Sequence, residues 1–231
     1  MSIEQLKKEV CVANKSLPSY GLVTFTWGNV SGFDVDSGHV VIKPSGVSYE
    51  DLTPEKMVVV NLSGEVVEGE LKPSSDTATH VHMYQEFKGV TGIVHTHSPW
   101  ATAWSQAGRE LLPLGTTHAD YFYGSVPCTR SLSSEEITAD YELNTGRVIV
   151  ETFRKHAIDE LAVPGVLVNG HAPFTWGGSV KDAVKHAVVL EECAKIAFHS
   201  FQLNSKLTAV DQTLLDKHYL RKHGKDAYYG Q

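Results

Sequence analysis

The sequence predicts one α/β domain in three layers, with helices on both faces of a central mixed, mostly antiparallel sheet. Three observations carry this prediction. Short apolar runs of strand length are separated by turn residues. Segments with a 3–4-residue apolar period fall between them. Residues 1–231 contain no repeat, low-complexity tract or linker that would divide the chain.

In chain order, Ser2 and Gln5 have the spacing of a capping box. Behind them Ile3, Leu6, Val10, Ala13 and Leu17 form one helical face that ends before Pro18. Strands are expected over 22–27, 39–43, 57–61 and 65–68, the last two joined by a turn at Ser63-Gly64. A helix runs from Ser74-Ser75-Asp76 to about Phe87, then a strand over 92–97, then a short helix that Ser98-Pro99 opens and Gly108 closes. Ser133 with Glu136 is a second capping box, opening a helix to about Asn144. Strands over 148–152 and 165–169 follow. Ser179 caps a long helix whose apolar face is Ala183, Ala187, Leu190, Ala194 and Ala197, and a last helix covers about 209–222.

Composition excludes several functions. With 20 Lys+Arg against 27 Asp+Glu the formal charge is −7, the wrong sign for a partner whose binding rests on neutralising phosphates, so no nucleic acid is expected. The longest apolar candidate, 183–201, is broken by Lys185, Glu191, Glu192 and Lys195 and cannot span a bilayer; no membrane is expected. The first residues carry no apolar core of a secretory signal. Cys11, Cys128 and Cys193 are odd in number and widely spaced, so neither a disulfide framework nor a Cys-rich zinc site is indicated, and a reduced, cytoplasmic setting is expected. The 12 histidines are the unusual number.

On a strand, residues two apart share a face, so His95 and His97 project side by side. Sheet histidines that only hydrogen-bond have the same spacing. His171 lies just past an expected strand, in a turn marked by Gly170 and Pro173, and Asp76 stands in the first turn of its helix. Alone, Asp76 reads as an ordinary capping residue. Three histidines and one carboxylate together suit a divalent ion that leaves room for substrate oxygens. Three further segments are shaped for an anion: Trp27-Gly28-Asn29-Val30-Ser31, Lys43-Pro44-Ser45-Gly46, and Ser74-Ser75 ahead of a helix. Each alone is more often a turn. None matches the Walker loop or the Rossmann glycine fingerprint.

These segments, with Gly92 to Ser98, the stretch Thr116-Thr117-His118-Ala119-Asp120-Tyr121, His171 to Gly177 and Lys217 to Gly224, resemble the class II aldolase/adducin family along the whole chain, most specifically its 4-epimerase branch. The resemblance implies a four-fold homotetramer with active sites between neighbouring subunits. It implies Asp76, His95, His97 and His171 as ligands of Zn²⁺, with Mn²⁺ or Co²⁺ as substitutes. Gly28, Asn29, Lys43, Ser45, Gly46, Ser74 and Ser75 would line a sugar phosphate. Asp120 and Tyr229 would act as acid/base groups, with Tyr229 and His218 supplied by the adjacent subunit.

The implied reaction interconverts L-ribulose 5-phosphate and D-xylulose 5-phosphate. The C4 hydrogen is not alpha to the C2 carbonyl, so breaking C3–C4 to give an enediolate and glycolaldehyde phosphate, then re-forming that bond on the other aldehyde face, is the accessible route. The resemblance leaves the pentose pathway open, L-arabinose catabolism among others. The alternative within the family is a sugar-phosphate aldolase of the L-fuculose-phosphate type, in which a glutamate typically replaces Asp76. A non-enzymatic scaffold like the adducin head has no reason to keep the four ligands.

Overall fold

In the computed structural model, which describes residues 2–228, helix α1 (Ile3–Ser16) begins at Ser2, whose Oγ accepts the Gln5 amide at 3.2 Å. The Gln5 side chain donates to Glu9 rather than returning to Ser2, so the cap is one-sided. The strand expected over 22–27 does not form. This stretch is irregular, with Phe25 at φ 54° and Gly28 at φ 81°, and pairing starts only at Asn29.

The sheet has seven strands: β1 (Asn29–Asp34), β2 (His39–Ile42), β3 (Val58–Asn61), β4 (Val66–Glu68), β5 (Gly92–His95), β6 (Gly165–Leu167) and β7 (Pro173–Gly177), in the order β4-β3-β2-β1-β5-β7-β6. All six strand pairings are antiparallel, so the sheet proper has no parallel pair; one isolated parallel bridge joins Cys128, outside the strands, to Leu167. Strand β7 was not expected from the sequence. Its Pro173 occupies the first position, where a missing N–H costs the ladder least.

Alternate residues face opposite layers. Val30, Val41, Val59 and Val94 pack against Leu6 and Val10 of α1 and against Val180, Ala183 and Ala187 of α7 (Val180–Leu203). Val40, Val58, Val60, Ile93, Phe174 and Trp176 form the other core with Val81 and Tyr84 of α2 (Thr77–Glu86) and with Ile149 and Phe153 of α6 (Tyr141–Lys155). The remaining helices are α3 (Pro99–Gln106), α4 (Thr116–Ala119), α5 (Ser134–Thr138) and α8 (Gln212–His223). The three-layer reading therefore holds.

Residues 148–152 correct another expectation: they are the middle of α6, not a strand. Val148, Ile149, Thr152 and Phe153 are buried while Arg147, Glu151, Arg154 and Lys155 are exposed, a helical period that outweighs the β-branched composition. The capping box at Ser133 does form, but its helix is α5, and the chain restarts as α6 at Tyr141. Gly146 lets α6 lie directly on α2, since a Cβ there would stand 3.2 Å from both Thr79 O and His82 Cβ. Among the described residues no helix is long and apolar enough to cross a membrane, and the three cysteines are free.

Candidate active site

The ends of three neighbouring strands place a row of side chains at one edge of the sheet. Asn29 on β1 lies opposite His95 on β5, and His95 lies opposite Phe174 on β7, so all three project to the α2 side. Phe174 stacks on the His95 ring at 4.1 Å between centroids. His95 Nδ1 lies 3.0 Å from the Pro173 carbonyl, which can only accept, so Nδ1 donates there and Nε2 is the nitrogen left for a ligand. Strand β5 stops at His95, yet His97 beyond it still reaches the same point. The rings of His95, His97 and His171 lie 4.9–5.0 Å apart, and one nitrogen from each falls within 4.8 Å of the others.

Asp76 is the N-cap residue of α2 and lines the same cleft without joining that mutual approach. Its Oδ2 accepts from Asn29 Nδ2 at 2.6 Å, while the same Nδ2 also reaches Ser74 Oγ at 3.0 Å. Burial pushes the Asp76 carboxyl up, but His95, His80, the Asn29 hydrogen bond and His171 outweigh it and hold it below the usual carboxylate range. Burial, then His95 and His97, push His171 down to about 4. Its buried Nδ1 has no hydrogen-bond partner among the described residues. Three converging imidazoles, an ionised carboxylate and an orphaned ring nitrogen form a donor set that fits a divalent cation.

The three turn segments named in the sequence come together at one cleft. Gly28, Asn29, Lys43, Ser45, Gly46, Ser74 and Ser75 line one cleft of about 580 Å³ with Asp76 and the three histidines. Two backbone bonds stitch the loops: Ser45 N donates to Lys72 O at 2.9 Å, and Ser74 N donates to Lys43 O at 3.0 Å. Gly28 is needed here twice over, for its positive φ and because a Cβ would stand 2.8 Å from the His95 carbonyl. Tyr49 anchors this corner by donating to the Trp27 carbonyl at 2.5 Å and the Gly28 carbonyl at 2.9 Å.

Lys43 is 2% exposed and has an unusual setting. Its Nζ donates to the Pro44 carbonyl at 3.2 Å and lies 5.1 Å from the centre of the Tyr49 ring. Burial pushes its pKa down to about 8. A bound dianion would compensate a charge held this way.

Asp120 and His218 are not part of this cleft. They meet each other instead, where α8 packs on the end of α4: Asp120 Oδ1 lies 3.1 Å from His218 Nδ1 and 3.0 Å from Arg221 Nη2, with Lys222 Nζ 3.8 Å from Oδ2. Tyr229, the other expected acid/base group, lies outside the described residues. Two cleft residues escaped the sequence reading. Tyr141, whose ring is 6.0 Å from that of His171, and Glu142 open α6. One helix was expected to run through them from Ser133, so nothing marked them as a helix start facing a cleft.

Solved structures share this architecture. An L-fuculose 1-phosphate aldolase superposes with a TM-score of 0.80 at 22% identity, covering 95% of this chain and 96% of its own. YgbL of Klebsiella pneumoniae, described as a putative aldolase/epimerase/decarboxylase, gives 0.74 at 25% identity over 94% and 99%. The L-fuculose-1-phosphate aldolase of Thermus thermophilus gives 0.68 at 25% over 89% and 99%. The Class II Aldolase and Adducin N-terminal domain family matches residues 8–198, and with that match the chain belongs to this family.

Proposed function

We propose that the chain is an L-ribulose-5-phosphate 4-epimerase that holds a divalent ion, zinc by preference, on His95, His97, His171 and Asp76. A cation there supplies Lewis-acid stabilisation of the negative charge that develops on the C2 and C3 oxygens when C3–C4 breaks. The observation that carries the epimerase reading is the tether on Asp76. Its short side chain is fixed by Asn29 at 2.6 Å, so it serves as a fixed ligand and leaves proton transfer to other groups.

Lys43 and the hydroxyls of Ser45, Ser74 and Ser75 hold the phosphate, keeping glycolaldehyde phosphate in place while its aldehyde turns over. Asp120 and Tyr229 take the C4 hydroxyl proton from one side and return a proton from the other. Because Asp120 and His218 sit together away from the cleft of their own chain, they complete the site of a neighbouring copy in a homotetramer.

The test is conversion of L-ribulose 5-phosphate to D-xylulose 5-phosphate, with zinc and after chelation. Metal-dependent conversion without released glycolaldehyde phosphate supports the reading. A second reading, a sugar-phosphate aldolase, is favoured by the similarity to two proteins named as L-fuculose 1-phosphate aldolases. Net cleavage of a ketose phosphate with release of the aldehyde would establish it and overturn the first.

A further inference from the structure

Charged residues interrupt the apolar run 183–201 on α7, and one of them, Glu191, is buried at 7% exposure. The proposed chemistry does not use it. Its two carboxylate oxygens each accept one backbone amide: Oε1 takes Trp100 N and Oε2 takes Ala101 N, both at 2.9 Å. These amides lie 91 and 90 residues away in sequence, in the first turn of α3.

That turn has no cap of its own. Ser98 is the N-cap residue of α3, yet its side chain makes no capping hydrogen bond. Pro99 brings no N–H to the first helical position, and the Thr102 amide already donates to the Ser98 carbonyl at 3.0 Å. The amides left over are those of Trp100 and Ala101, the two that an N-cap side chain ordinarily serves. Glu191 takes both, and its carboxylate sits at the positive end of α3. Farther along, α3 is docked on α7 by other means: Trp104 Nε1 donates to the Ala194 carbonyl at 3.0 Å, and the Trp100 ring lies 5.4 Å from that of Phe198.

The first turn of α3 matters because of what precedes it. The pairing of β5 with β1 and with β7 ends at His95, so the sheet fixes His95 and not His97. His97 nevertheless stands with its ring 5.0 Å from those of His95 and His171. Thr96 alone separates it from the last paired residue, and Ser98 and Pro99 alone separate it from the amides that Glu191 holds. We propose that Glu191 is a positioning residue for the metal centre: by clamping the first turn of α3 it fixes the far end of the link that carries His97 to the other two histidines. The proposal rests on the metal centre argued above.

The experiment measures Co²⁺ affinity by chelator competition and the visible absorption of the Co²⁺ protein, with the unfolding temperature of the metal-free protein alongside. Glu191→Ala weakens Co²⁺ binding by about 10-fold and shifts the visible bands. Glu191→Gln, which keeps one acceptor for two amides, falls between it and the wild type. Trp104→Phe removes a hydrogen bond between α3 and α7 away from the first turn; it lowers the unfolding temperature and leaves affinity and spectrum as in the wild type. Wild-type affinity and spectrum in E191A overturn the proposal, whatever its stability, and so does a W104F protein that loses as much affinity as E191A. If E191A does not fold, E191Q decides the question: wild-type affinity and spectrum there overturn it. A wild-type protein that takes up no Co²⁺ overturns the metal centre itself, which separates the two failures.

Discussion

Replacing Lys43 by methionine should make the ligand-free protein more stable and its phosphate site worse. Lys43 is 2% exposed, and its fall from 10.5 to about 8 means that holding the charged amine costs the fold about 3 kcal/mol, at about 1.4 kcal/mol per pH unit. Between pH 8 and 10.5 the unfolded chain keeps a proton that the folded chain has released, so stability from this group rises with pH across that window. K43M lacks both the cost and the slope. It should exceed the wild type by about 3 kcal/mol at about pH 7, with the gap mostly closed at about pH 10. Urea unfolding of both proteins at the two pH values, at matched protomer concentration, gives the comparison. In parallel, loss of a charge-assisted contact should raise KM for the sugar phosphate by about 10- to 100-fold. A K43M protein less stable than wild type at neutral pH, or a gap equal at both pH values, would refute the reasoning.

Other outcomes follow from the same geometry. His95→Ala, His97→Ala and His171→Ala should each abolish stoichiometric zinc after dialysis, read by atomic emission; a full ion retained in any two would sink the ligand assignment. Asp76→Asn and Asp120→Asn chains, each inactive alone, should regain part of the activity when refolded together, whereas a mixture as inactive as its components denies that neighbours share a site. Trp176→Ala removes a fully buried ring whose Nε1 donates to the Glu160 carbonyl at 2.7 Å and should cost about 3–5 kcal/mol in urea unfolding. Ser133→Ala breaks the α5 capping box and should lower stability by about 1 kcal/mol, visible as a reduced Tm.

Most of this fold was legible because its punctuation is chemical. Ser2, Ser133 and Ser179 each accept an amide three residues on, as their spacing indicated. The misreadings arose where tertiary packing overrode local preference. Val148, Ile149 and Val150 have strand composition, but the neighbouring α2 surface makes a helix the conformation that buries the apolar side and exposes Glu151. Residues 22–27 look apolar enough for a strand, yet Phe25 and Gly28 take positive φ to bring Trp27 to the cleft rim.

The site was legible to the extent that its residues lie close in sequence: His95 with His97, Ser74 with Asp76, Lys43 with Gly46. The Asp120–His218 contact spans 98 residues and has no spacing signature.

The cross-strand alignment of Asn29, His95 and Phe174 has a consequence for descent. What sets His95 beside Asn29 and Phe174 is a strand register, not a contiguous motif. Substitutions in the exposed loops leave the pairing of β1, β5 and β7 intact, and that pairing returns the same histidine to the same place. A one-residue slip in that pairing would turn His95 to the opposite face and abolish the centre at once. Distant relatives of low identity are therefore better recognised by which residues lie opposite one another across these three strands than by the wording of any single segment.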